Sequence, residues 1–459
     1  MAYDYDITVI GGGPGGYVAA IKAAQEGRRV CLVEGGKIGG VCLHEGCIPT
    51  KTLLKTANLL HEIREAERYA IAGVDPARLA VSMPALQKRK QSVVGKLAGG
   101  VRALLRGNKV TLAEGFAAFA DPHTVTVNGT AIRSEFFIIA TGSSVLMPPS
   151  IKREGAASVI TSKEALELDR VPASIVVIGG GAIGIEFAYL FNRLGSTVTV
   201  LELMDHILPA VDEEVSSLAR KRLTRDGVTI RLGARVHTLR DNQVLYEMGG
   251  VQASVEAETV LMAVGRAPAA EGLNARGIGL EFDRDAIKTD AGLRTSIPHI
   301  YAIGDVNGRH MLAHTASHEA VAAVENILGR NVEMRYNAIP SCIYLDPEIA
   351  CIGLTEKQAR EQRASVKTGT FPMAANGKSL VEGDADGMMK VIVDGDCGEI
   401  LGVHLYGKHV TDMIAEMSLA MSLEAAPDEV IRAVHPHPTI SEALPEAFMA
   451  VCGKAIHSL

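Results

Sequence analysis

The chain has 459 residues, 47% of them hydrophobic, which is enough for about three domains with buried cores. Lysine and arginine number 46 against 53 aspartates and glutamates, so the formal charge is −7 and no nucleic-acid partner is expected. No apolar run approaches about 18 residues and no basic, then apolar, leader precedes the first predicted strand, so we expect neither a membrane span nor a secretory signal. Seven thinly spread cysteines fit a reducing compartment, which predicts a cytoplasmic protein.

A glycine-rich turn near the N-terminus predicts a dinucleotide site. Residues 6–10 predict a buried strand, 17–26 a helix, and 29–33 a second strand that ends at Glu34. The glycines in the GxGxxG positions are Gly11, Gly13 and Gly16. Glycine there permits the tight turn and lets the backbone approach a pyrophosphate, and the acid bonds a ribose 2′-hydroxyl. The alternative is a glycine-rich turn packed for structural reasons alone.

The same pattern recurs later in the chain. Residues 174–178 predict a strand, 185–194 a helix, and 197–201 a second strand that ends at Glu202. The matching glycines are Gly179, Gly181 and Gly184. Two such units predict two dinucleotides with electron transfer between them.

Glu202 predicts which nicotinamide nucleotide the second unit binds. A carboxylate there bonds the free 2′-hydroxyl of NAD and repels the 2′-phosphate of NADP. Residues 203–209 contain no arginine that could receive that phosphate. We therefore expect NAD rather than NADP.

The remaining elements can be placed more coarsely. Residues 83–106 predict a long helix, and three apolar strands end in glycine-containing turns. Those strands are predicted at 136–139, 260–264 and 300–303. After about residue 337, short β-prone runs precede helical ones, which indicates a separate α+β domain. The β-prone runs are 343–345, 388–393 and 400–405, and the helical runs are 410–423 and 441–450.

Cys42 and Cys47 lie within residues 39–51, shortly after the first glycine turn. Two thiols beside a redox cofactor can carry two electrons as a disulfide, which requires Cα atoms roughly 4.4–6.8 Å apart. A five-residue separation at the start of a helix meets that distance if the backbone before Cys47 is irregular, and Gly46 would ease the bend. The alternatives are two ordinary buried cysteines or a metal site. A metal site lacks the second ligand pair that zinc usually requires, so none is expected.

These motifs together resemble the pyridine nucleotide–disulphide oxidoreductases of the type with two dinucleotide domains. The resemblance covers residues 6 to about 450. It is carried by 39–51, the two fingerprints, 140–142, 301–305, 311–314 and 435–442. It implies an α/β fold with two Rossmann-like domains, for FAD and NAD, and a C-terminal α+β dimerisation domain. The implied boundaries are 1–145 for FAD, 146–268 for NAD, 269–336 for a central domain completing the FAD site, and 337–459 for the interface domain.

Within the family, the chain resembles members that oxidise protein-bound dihydrolipoamide. The resemblance implies FAD and NAD as cofactors and a homodimer whose active sites are built from both chains. It also implies a lipoylated acyltransferase or lipoyl carrier protein as partner, in a 2-oxo acid dehydrogenase or glycine cleavage system. No lipoyl domain is evident in the chain, so we expect that group on another protein. The alternative is an NAD(P)H-dependent disulfide or metal reductase of the same family.

The resemblance assigns roles around the cysteine pair. Cys42 is expected to exchange with the substrate, and Cys47 to pass electrons to the flavin. His437 is expected to be the base, because imidazole titrates near neutral pH, and Glu442 to orient its ring. His435 is open to a structural or a functional role.

Further residues are expected at the cofactors. Lys51 and Glu186 are expected to pair beside the flavin, facing the nicotinamide. Asp305 is expected at the FAD ribityl or phosphate region. Additional contacts are expected to FAD from Gly115, Thr141, Gly142, Met311, Leu312, Ala313 and His314, and to NAD from Val236 and Gly265.

Three departures from the family pattern stand out. Val41 replaces the usual threonine before the first cysteine, and His44 and Glu45 replace the usual asparagine and valine between the cysteines. Asp346 stands where histidine often precedes a proline–glutamate pair. The first two departures change the polarity beside the cysteines and are expected to shift their reduction potential without removing a required group.

Overall fold

A computed structural model describes residues 3–155 and 159–458 of the chain. The strands are β1 Tyr5–Ile10, β2 Val30–Glu34, β3 Thr111–Glu114, β4 Ala117–Asp121, β5 Thr124–Val127, β6 Thr130–Ile139, β7 Ser143–Val145, β8 Lys152–Glu154, β9 Val159–Ile160, β10 Ser174–Ile178, β11 Thr197–Leu201, β12 Thr229–Arg231, β13 Arg235–Arg240, β14 Gln243–Met248, β15 Val251–Glu256, β16 Thr259–Met262, β17 Arg266–Pro268, β18 Phe282–Asp283, β19 Ala286–Ile287, β20 Ile300–Ala302, β21 Ser341–Ile343, β22 Glu348–Gly353, β23 Val366–Pro372, β24 Met388–Asp394 and β25 Ile400–Gly407. The helices are α1 Pro14–Gln25, α2 Gly40–Glu45, α3 Cys47–Arg64, α4 Met83–Gly107, α5 Ser162–Ala165, α6 Ala182–Leu194, α7 Glu213–Arg225, α8 Ala313–Ile327, α9 Glu356–Gln362, α10 Gly377–Val381, α11 Val410–Ser422, α12 Pro427–Arg432 and α13 Ala443–Ala450.

The first of two compact units is built on a sheet that is parallel on one side and antiparallel on the other. It comprises the described residues up to Leu53, together with Pro84–Met147 and Gly265–Arg335. Strands β3, β2, β1, β6 and β20 run parallel, while the start of β6 pairs antiparallel with β5, which pairs with β4. The parallel strands are largely runs of buried apolar residues, as expected for strands covered on both faces.

Helices α1 and α8 pack together in this first unit through small residues. Ala20 and Ala323 are fully buried in the same hydrophobic core. The first turns of the two helices also meet, because a Cβ on Gly15 would lie 3.2 Å from the carbonyl oxygen of Ala316. The N-termini of both helices are therefore close to the glycine turn that follows β1.

The second unit contains a parallel sheet and an antiparallel α+β layer. It comprises Leu54–Met83, Pro148–Val264 and the described residues from Tyr336 onward. The parallel sheet has the order β12-β11-β10-β16-β9, and a smaller sheet has the order β15-β14-β13-β8. The C-terminal strands form an antiparallel sheet in the order β21-β22-β25-β24-β23, against which α11 and α13 pack. The predicted fold class is confirmed.

Most predicted elements are present with shifted ends. The helix predicted at 83–106 is α4, and both strand–glycine turn–helix units are present. The strand predicted at 260–264 ends at Met262, because the chain turns there toward the second glycine loop. The strand predicted at 343–345 is displaced by two residues, since β21 spans Ser341–Ile343. The four domain boundaries stay a prediction. Among the described residues, no helix combines the length and hydrophobicity that crossing a membrane requires.

Candidate active site

The glycine turn between β1 and α1 is too tightly packed for side chains. Gly11 has φ +104°, and a Cβ there would lie 2.3 Å from the carbonyl oxygen of Ala140. A Cβ on Gly16 would lie 1.7 Å from the carbonyl oxygen of Gly11. The turn can therefore bring β1, β6 and α1 this close only with glycine. Gly13 precedes the first turn of α1, whose free amide groups suit a pyrophosphate.

Glu34 closes this turn from the end of β2. Its Oε2 accepts a hydrogen bond from the amide of Gly12 at 2.5 Å, and its Oε1 accepts one from the amide of Gly36 at 2.6 Å. The carboxylate is thus fixed by backbone amides in the position where a ribose hydroxyl would meet it.

Two buried threonine hydroxyls beside the same turn suit a polar ligand. Among the described residues, the hydroxyls of Thr141 and Thr315 have no hydrogen-bond partner. Thr141 follows Ala140, and Thr315 precedes Ala316, so both adjoin residues that contact the glycine turn. A buried unsatisfied hydroxyl costs about 1–3 kcal/mol. A dinucleotide at this turn would remove that cost, so the residues present fit FAD.

Asp305 is held by a short chain of polar side chains. The Ser143 hydroxyl donates to Asp305, while Arg266 donates from Nε to the Ser143 hydroxyl at 2.7 Å and from a terminal nitrogen to the Ser143 carbonyl at 2.6 Å. Burial lowers the pKa of Arg266, and the charges of Asp305 and Glu45 oppose that shift. Sequence reasoning identified Asp305 but missed Ser143 and Arg266, although both stand next to glycines that it singled out.

Cys42 and Cys47 form a disulfide with Cα atoms 4.6 Å apart, so the predicted pair is confirmed. The irregular backbone expected before Cys47 is present, and it divides the segment into two helices. Cys42 lies inside α2, Gly46 ends that helix, and Cys47 begins α3. The break between the two helices brings the sulfurs together, because one regular helix would carry residues five apart to different faces.

The cysteine helix is attached directly to the first glycine turn. The Gly39 amide donates to the Gly12 carbonyl at 2.8 Å, and a Cβ on Gly40 would lie 2.6 Å from the Cα of Gly13. The His44 ring donates from Nε2 to the carbonyl of Ile38 at 2.8 Å, which ties α2 to the preceding loop. The disulfide therefore lies against the loop that is expected to bind the FAD pyrophosphate.

The second glycine turn repeats the geometry of the first. Gly179 has φ +107°, and a Cβ there would lie 2.4 Å from the carbonyl oxygen of Ala263. A Cβ on Gly184 would lie 2.0 Å from the carbonyl oxygen of Gly179. Glu202 accepts hydrogen bonds from the amides of Gly180 and Met204. Its side chain thus occupies the position in the second unit that Glu34 occupies in the first. The intervening glycine of the pattern, Gly181, precedes α6.

Glu186 is a buried carboxylate on α6, with 5% of its surface exposed. Its Oε1 accepts a hydrogen bond from the amide of Tyr344 at 3.0 Å, so the backbone after β21 holds it in place. Lys51 is half-buried on α3. The expected pairing of these two residues stays a prediction.

His437 and Glu442 form the predicted pair in the loop before α13. The ring Nδ1 lies 2.8 Å from Glu442 Oε1, and the Thr439 amide donates to Oε2 of the same carboxylate at 2.8 Å. Burial raises the pKa of Glu442, but the hydrogen bonds from Thr439 and His437 outweigh it and hold that pKa below its usual value. An ionised Glu442 accepts from Nδ1, which leaves Nε2 of the exposed ring to take a proton.

The other predicted contacts lie in turns or at element ends. Gly115, Gly142 and Gly265 all have positive φ. Met311 and Leu312 precede α8, Ala313 and His314 begin it, and Val236 lies in β13. Their predicted cofactor contacts stay predictions. Among the described residues, no group of three or more histidine, cysteine, aspartate or glutamate side chains could hold a metal ion.

Two family comparisons cover most of the chain. Residues 5–320 match the family described as pyridine nucleotide-disulphide oxidoreductase, and residues 339–448 match the dimerisation domain of the same family. The chain belongs to the pyridine nucleotide-disulphide oxidoreductases. The family resemblance noted from the sequence is thereby confirmed, and FAD and NAD are the cofactors that this family uses.

Three relatives that match over at least 91% of their own length are dihydrolipoyl dehydrogenases. The chain is 42% identical to a dihydrolipoyl dehydrogenase of Bacillus subtilis, with 100% of both chains covered. It is 42% identical to one from Thermus scotoductus, with 99% of each covered. It is 37% identical to the mitochondrial dihydrolipoyl dehydrogenase of Schizosaccharomyces pombe, over 99% of this chain and 91% of that protein. The structure is also similar to the HOCl-induced flavoprotein disulfide reductase RclA of Escherichia coli, with TM-score 0.84 and 29% identity over 97% of this chain and 99% of that one.

Proposed function

We propose that this oxidoreductase oxidises protein-bound dihydrolipoamide to lipoamide through the Cys42–Cys47 disulfide, with NAD+ as the final acceptor. The proposal is carried by the disulfide, whose segment is hydrogen-bonded to the first glycine turn through Gly39. The chain also matches dihydrolipoyl dehydrogenases over its whole length. A dithiol substrate is the natural partner of such a disulfide, because exchange proceeds by thiolate attack on one sulfur.

Thiol–disulfide exchange between the substrate and the Cys42–Cys47 disulfide takes two steps. A substrate thiolate attacks the sulfur of Cys42, the Cys42–Cys47 bond breaks, and Cys47 leaves as a thiolate. The second substrate thiol, after deprotonation, attacks the substrate sulfur bonded to Cys42. This closes the lipoamide disulfide and leaves Cys42 reduced. Two electrons and two protons thereby leave the substrate.

His437 is the proposed acceptor of the substrate thiol proton. Its Nδ1 hydrogen is held by Glu442, so Nε2 is the nitrogen that can receive the proton. The imidazolium that results is stabilised by the adjacent carboxylate, which is itself fixed by the Thr439 amide. Glu442 therefore acts as a positioning residue.

FAD held at the first glycine turn would supply the two-electron chemistry that links the reduced cysteines to NAD+. The proposed partner of the FAD ribose is Glu34, and the proposed partners of its polar groups are the hydroxyls of Thr141 and Thr315 and the carboxylate of Asp305. The proposed partner of the NAD ribose 2′-hydroxyl is Glu202. Lys51 and Glu186 are the proposed charged pair between flavin and nicotinamide.

The proposed active unit is a homodimer with shared active sites. Residues 339–448 match a dimerisation domain, and the base lies within that range. The ring of His437 is 79% exposed in the single chain, which suits a group that serves a neighbouring subunit. The proposed partner is a lipoylated acyltransferase or lipoyl carrier protein.

A disulfide or metal reductase of the same family is the weaker candidate. Its support is the similarity to RclA, at 28–29% identity, whereas the dihydrolipoyl dehydrogenases reach 42%. Reduction of the oxidised flavoprotein by NADH and by NADPH distinguishes the two, because Glu202 favours NADH.

The decisive experiment follows NADH at about 340 nm after FAD-loaded protein is mixed with dihydrolipoamide and NAD+. We expect turnover at an ordinary enzymatic rate of about 1–1000 per second. Absence of NADH formation by FAD-saturated protein would refute the function.

A further inference from the structure

His435 lies two residues before the proposed base, and its ring stands between two hydrogen-bond acceptors. Its Nδ1 is 2.9 Å from the carbonyl oxygen of Ala433, and its Nε2 is 2.9 Å from Oε1 of Glu416. A carbonyl oxygen only accepts, so Nδ1 donates to Ala433, and the Glu416 carboxyl group is the partner of Nε2. The side chain is 10% exposed, and this fully bonded arrangement clamps the chain at 435 to α11, which carries Glu416.

The chain after the base is held just as firmly by other groups. The Thr439 carbonyl accepts from the Asn376 side chain at 3.0 Å, and the Thr439 hydroxyl donates to the Pro436 carbonyl at 2.7 Å. Asn376 is 4% exposed, so this anchor is buried. His437 therefore projects from a short span fixed at 435 and at 439, and it makes its own bond to Glu442.

We propose that Glu416 and His435 form a positioning pair that sets where the His437 ring presents Nε2 to the substrate thiol. The inference rests on the proposed function. The pair acts through the backbone of residues 435–437, and neither member touches the reacting sulfurs in this role. Because a base displaced by about 1 Å can lose about 10²-fold in rate, a clamp two residues away has a kinetic consequence.

His435 also acts on the carboxylate that holds the base. Burial raises the pKa of Glu442, but the hydrogen bonds from Thr439 and His437 outweigh it, and the interaction with His435 lowers that pKa further. Because Glu416 bonds the His435 ring, removal of Glu416 would loosen the clamp.

The test separates the two half-reactions of FAD-loaded protein by stopped flow. Reduction by dihydrolipoamide needs the base, whereas reduction by NADH does not. We expect His435→Ala and Glu416→Ala each to slow reduction by dihydrolipoamide about tenfold and to leave reduction by NADH unchanged. The double variant should be no slower than either single one, because both remove the same clamp. Glu416→Gln keeps an acceptor oxygen for Nε2 and should retain most of the rate.

A second histidine–glutamate pair in the same C-terminal region supplies the control. His457 Nδ1 lies 2.6 Å from Glu446, and the ring is 71% exposed at the end of the described chain. We expect His457→Ala to leave both half-reactions unchanged. FAD absorbance and the unfolding temperature of each variant check that the fold is intact. Glu416 is 37% exposed on the surface of α11, so its variants are the second route if His435→Ala does not fold.

The outcomes distinguish this inference from the function on which it rests. Unmodified protein that dihydrolipoamide cannot reduce would overturn both. With an active parent, wild-type rates in the His435 and Glu416 variants would overturn the positioning role alone. Equal losses in both half-reactions, or additive losses in the double variant, would also overturn it, since they indicate general loosening of the fold.

Discussion

The two glycine turns of the chain share one geometry and lead to different chemistry. In each, the first glycine has φ near +105° and faces a backbone carbonyl. The next glycine, Gly12 or Gly180, donates its amide to a glutamate at the end of the second strand or just after it. The carbonyl of that same glycine accepts an amide at 2.8 Å, from Gly39 in the first turn and from Leu208 in the second. The scaffold for a dinucleotide is thus the same in both turns.

The two turns differ in the segment that follows the residue bonded to the glycine carbonyl, Gly39 in the first and Leu208 in the second. After Gly39 the chain enters α2 and the Cys42–Cys47 disulfide. After Leu208 it reaches Asp212, which caps α7 and is bound by the buried Lys390 at 2.8 Å. The first turn therefore acquires a two-electron carrier, and the second acquires a structural anchor. The chemical difference between the two units therefore lies in the segment that follows β2 or β11, and the dinucleotide scaffold itself is the same.

The largest expected effect removes the two-electron carrier. Cys47→Ser leaves Cys42 without a disulfide partner, so dihydrolipoamide cannot pass its electrons onward. We expect oxidation of dihydrolipoamide by NAD+ to fall at least about 10³-fold. FAD absorbance and reduction of the flavoprotein by NADH should persist, because the glycine turns are untouched. The assay is NADH formation beside a stopped-flow trace with NADH.

The matched control for that substitution is Cys397→Ser, since Cys397 is an exposed free thiol. It should keep full turnover. Full turnover of the Cys47 variant itself would show that the disulfide does not carry the electrons. The first turn would then not differ from the second by having a two-electron carrier after it.

The same glycine-to-alanine substitution can be made at the first glycine of both turns. Gly11→Ala and Gly179→Ala each place a Cβ 2.3–2.4 Å from a carbonyl oxygen at positive φ. Each costs about 2 kcal/mol or more. We expect Gly11→Ala to lose FAD, seen by absorbance and flavin titration, and Gly179→Ala to keep FAD but raise KM for NAD+ about tenfold or more.

A glycine with open space around it controls for the glycine-to-alanine change. No atom lies within 4 Å of a Cβ on Gly95, which is in α4. Gly95→Ala should leave FAD content and KM unchanged. FAD loss in the Gly179 variant, or a selective change in KM for NAD+ in the Gly11 variant, would contradict the assignment of one dinucleotide to each turn.

The sequence carried enough information for both turns and for the cysteine pair. Glycine spacing after an apolar strand, and an acid at the end of the next strand, are local patterns, so they could be recognised without a fold. His437 and Glu442 were found in the same way, from a short motif. The bend expected at Gly46 is present, whereas the short separate helix that carries Cys42 was not predicted from local spacing.

Residues brought together only by the fold could not be predicted. Ser143 bonds Asp305 from 162 residues away, and Arg266 bonds Ser143 from 123 residues away. Thr315 adjoins the first glycine turn from α8. Glu416 binds His435 from α11, whereas His435 lies in the loop after α12. Each of these residues is common in type and has no local signature, so only the tertiary arrangement gives it meaning.

A smaller effect on nucleotide preference is expected to distinguish Glu202 from Glu34. Glu202 is expected to face the NAD ribose, so Glu202→Ala should raise KM for NAD+ and reduce the preference for NAD+ over NADP+ about tenfold. Glu34→Ala should weaken FAD without changing that preference. The measurement is kcat/KM for both nucleotides, with the exposed Glu213→Ala as control. An unchanged preference in the Glu202 variant would refute its role.

The smallest expected effect concerns the anchor after the second turn and its dependence on pH. His404 is fully buried, accepts from the Asp212 amide at 3.2 Å and donates to the Leu354 carbonyl at 3.0 Å. Burial lowers the pKa of His404, so the folded protein keeps it neutral. Its contribution to stability is therefore present above the unfolded value of about 6.5 and declines as the pH falls below it.

Asp212 acts in a lower pH window. Burial raises its pKa, but the hydrogen bond from Lys390 outweighs this and leaves the pKa below its usual value. Its contribution is lost only as the pH falls below about 4. Between pH 7 and 5 the sensitivity of this anchor is therefore that of His404. We expect His404→Gln to flatten the fall in unfolding temperature over that range, while the exposed His318→Gln does not. If the unfolding temperature falls equally with pH in both variants, the anchor after the second turn does not respond to pH.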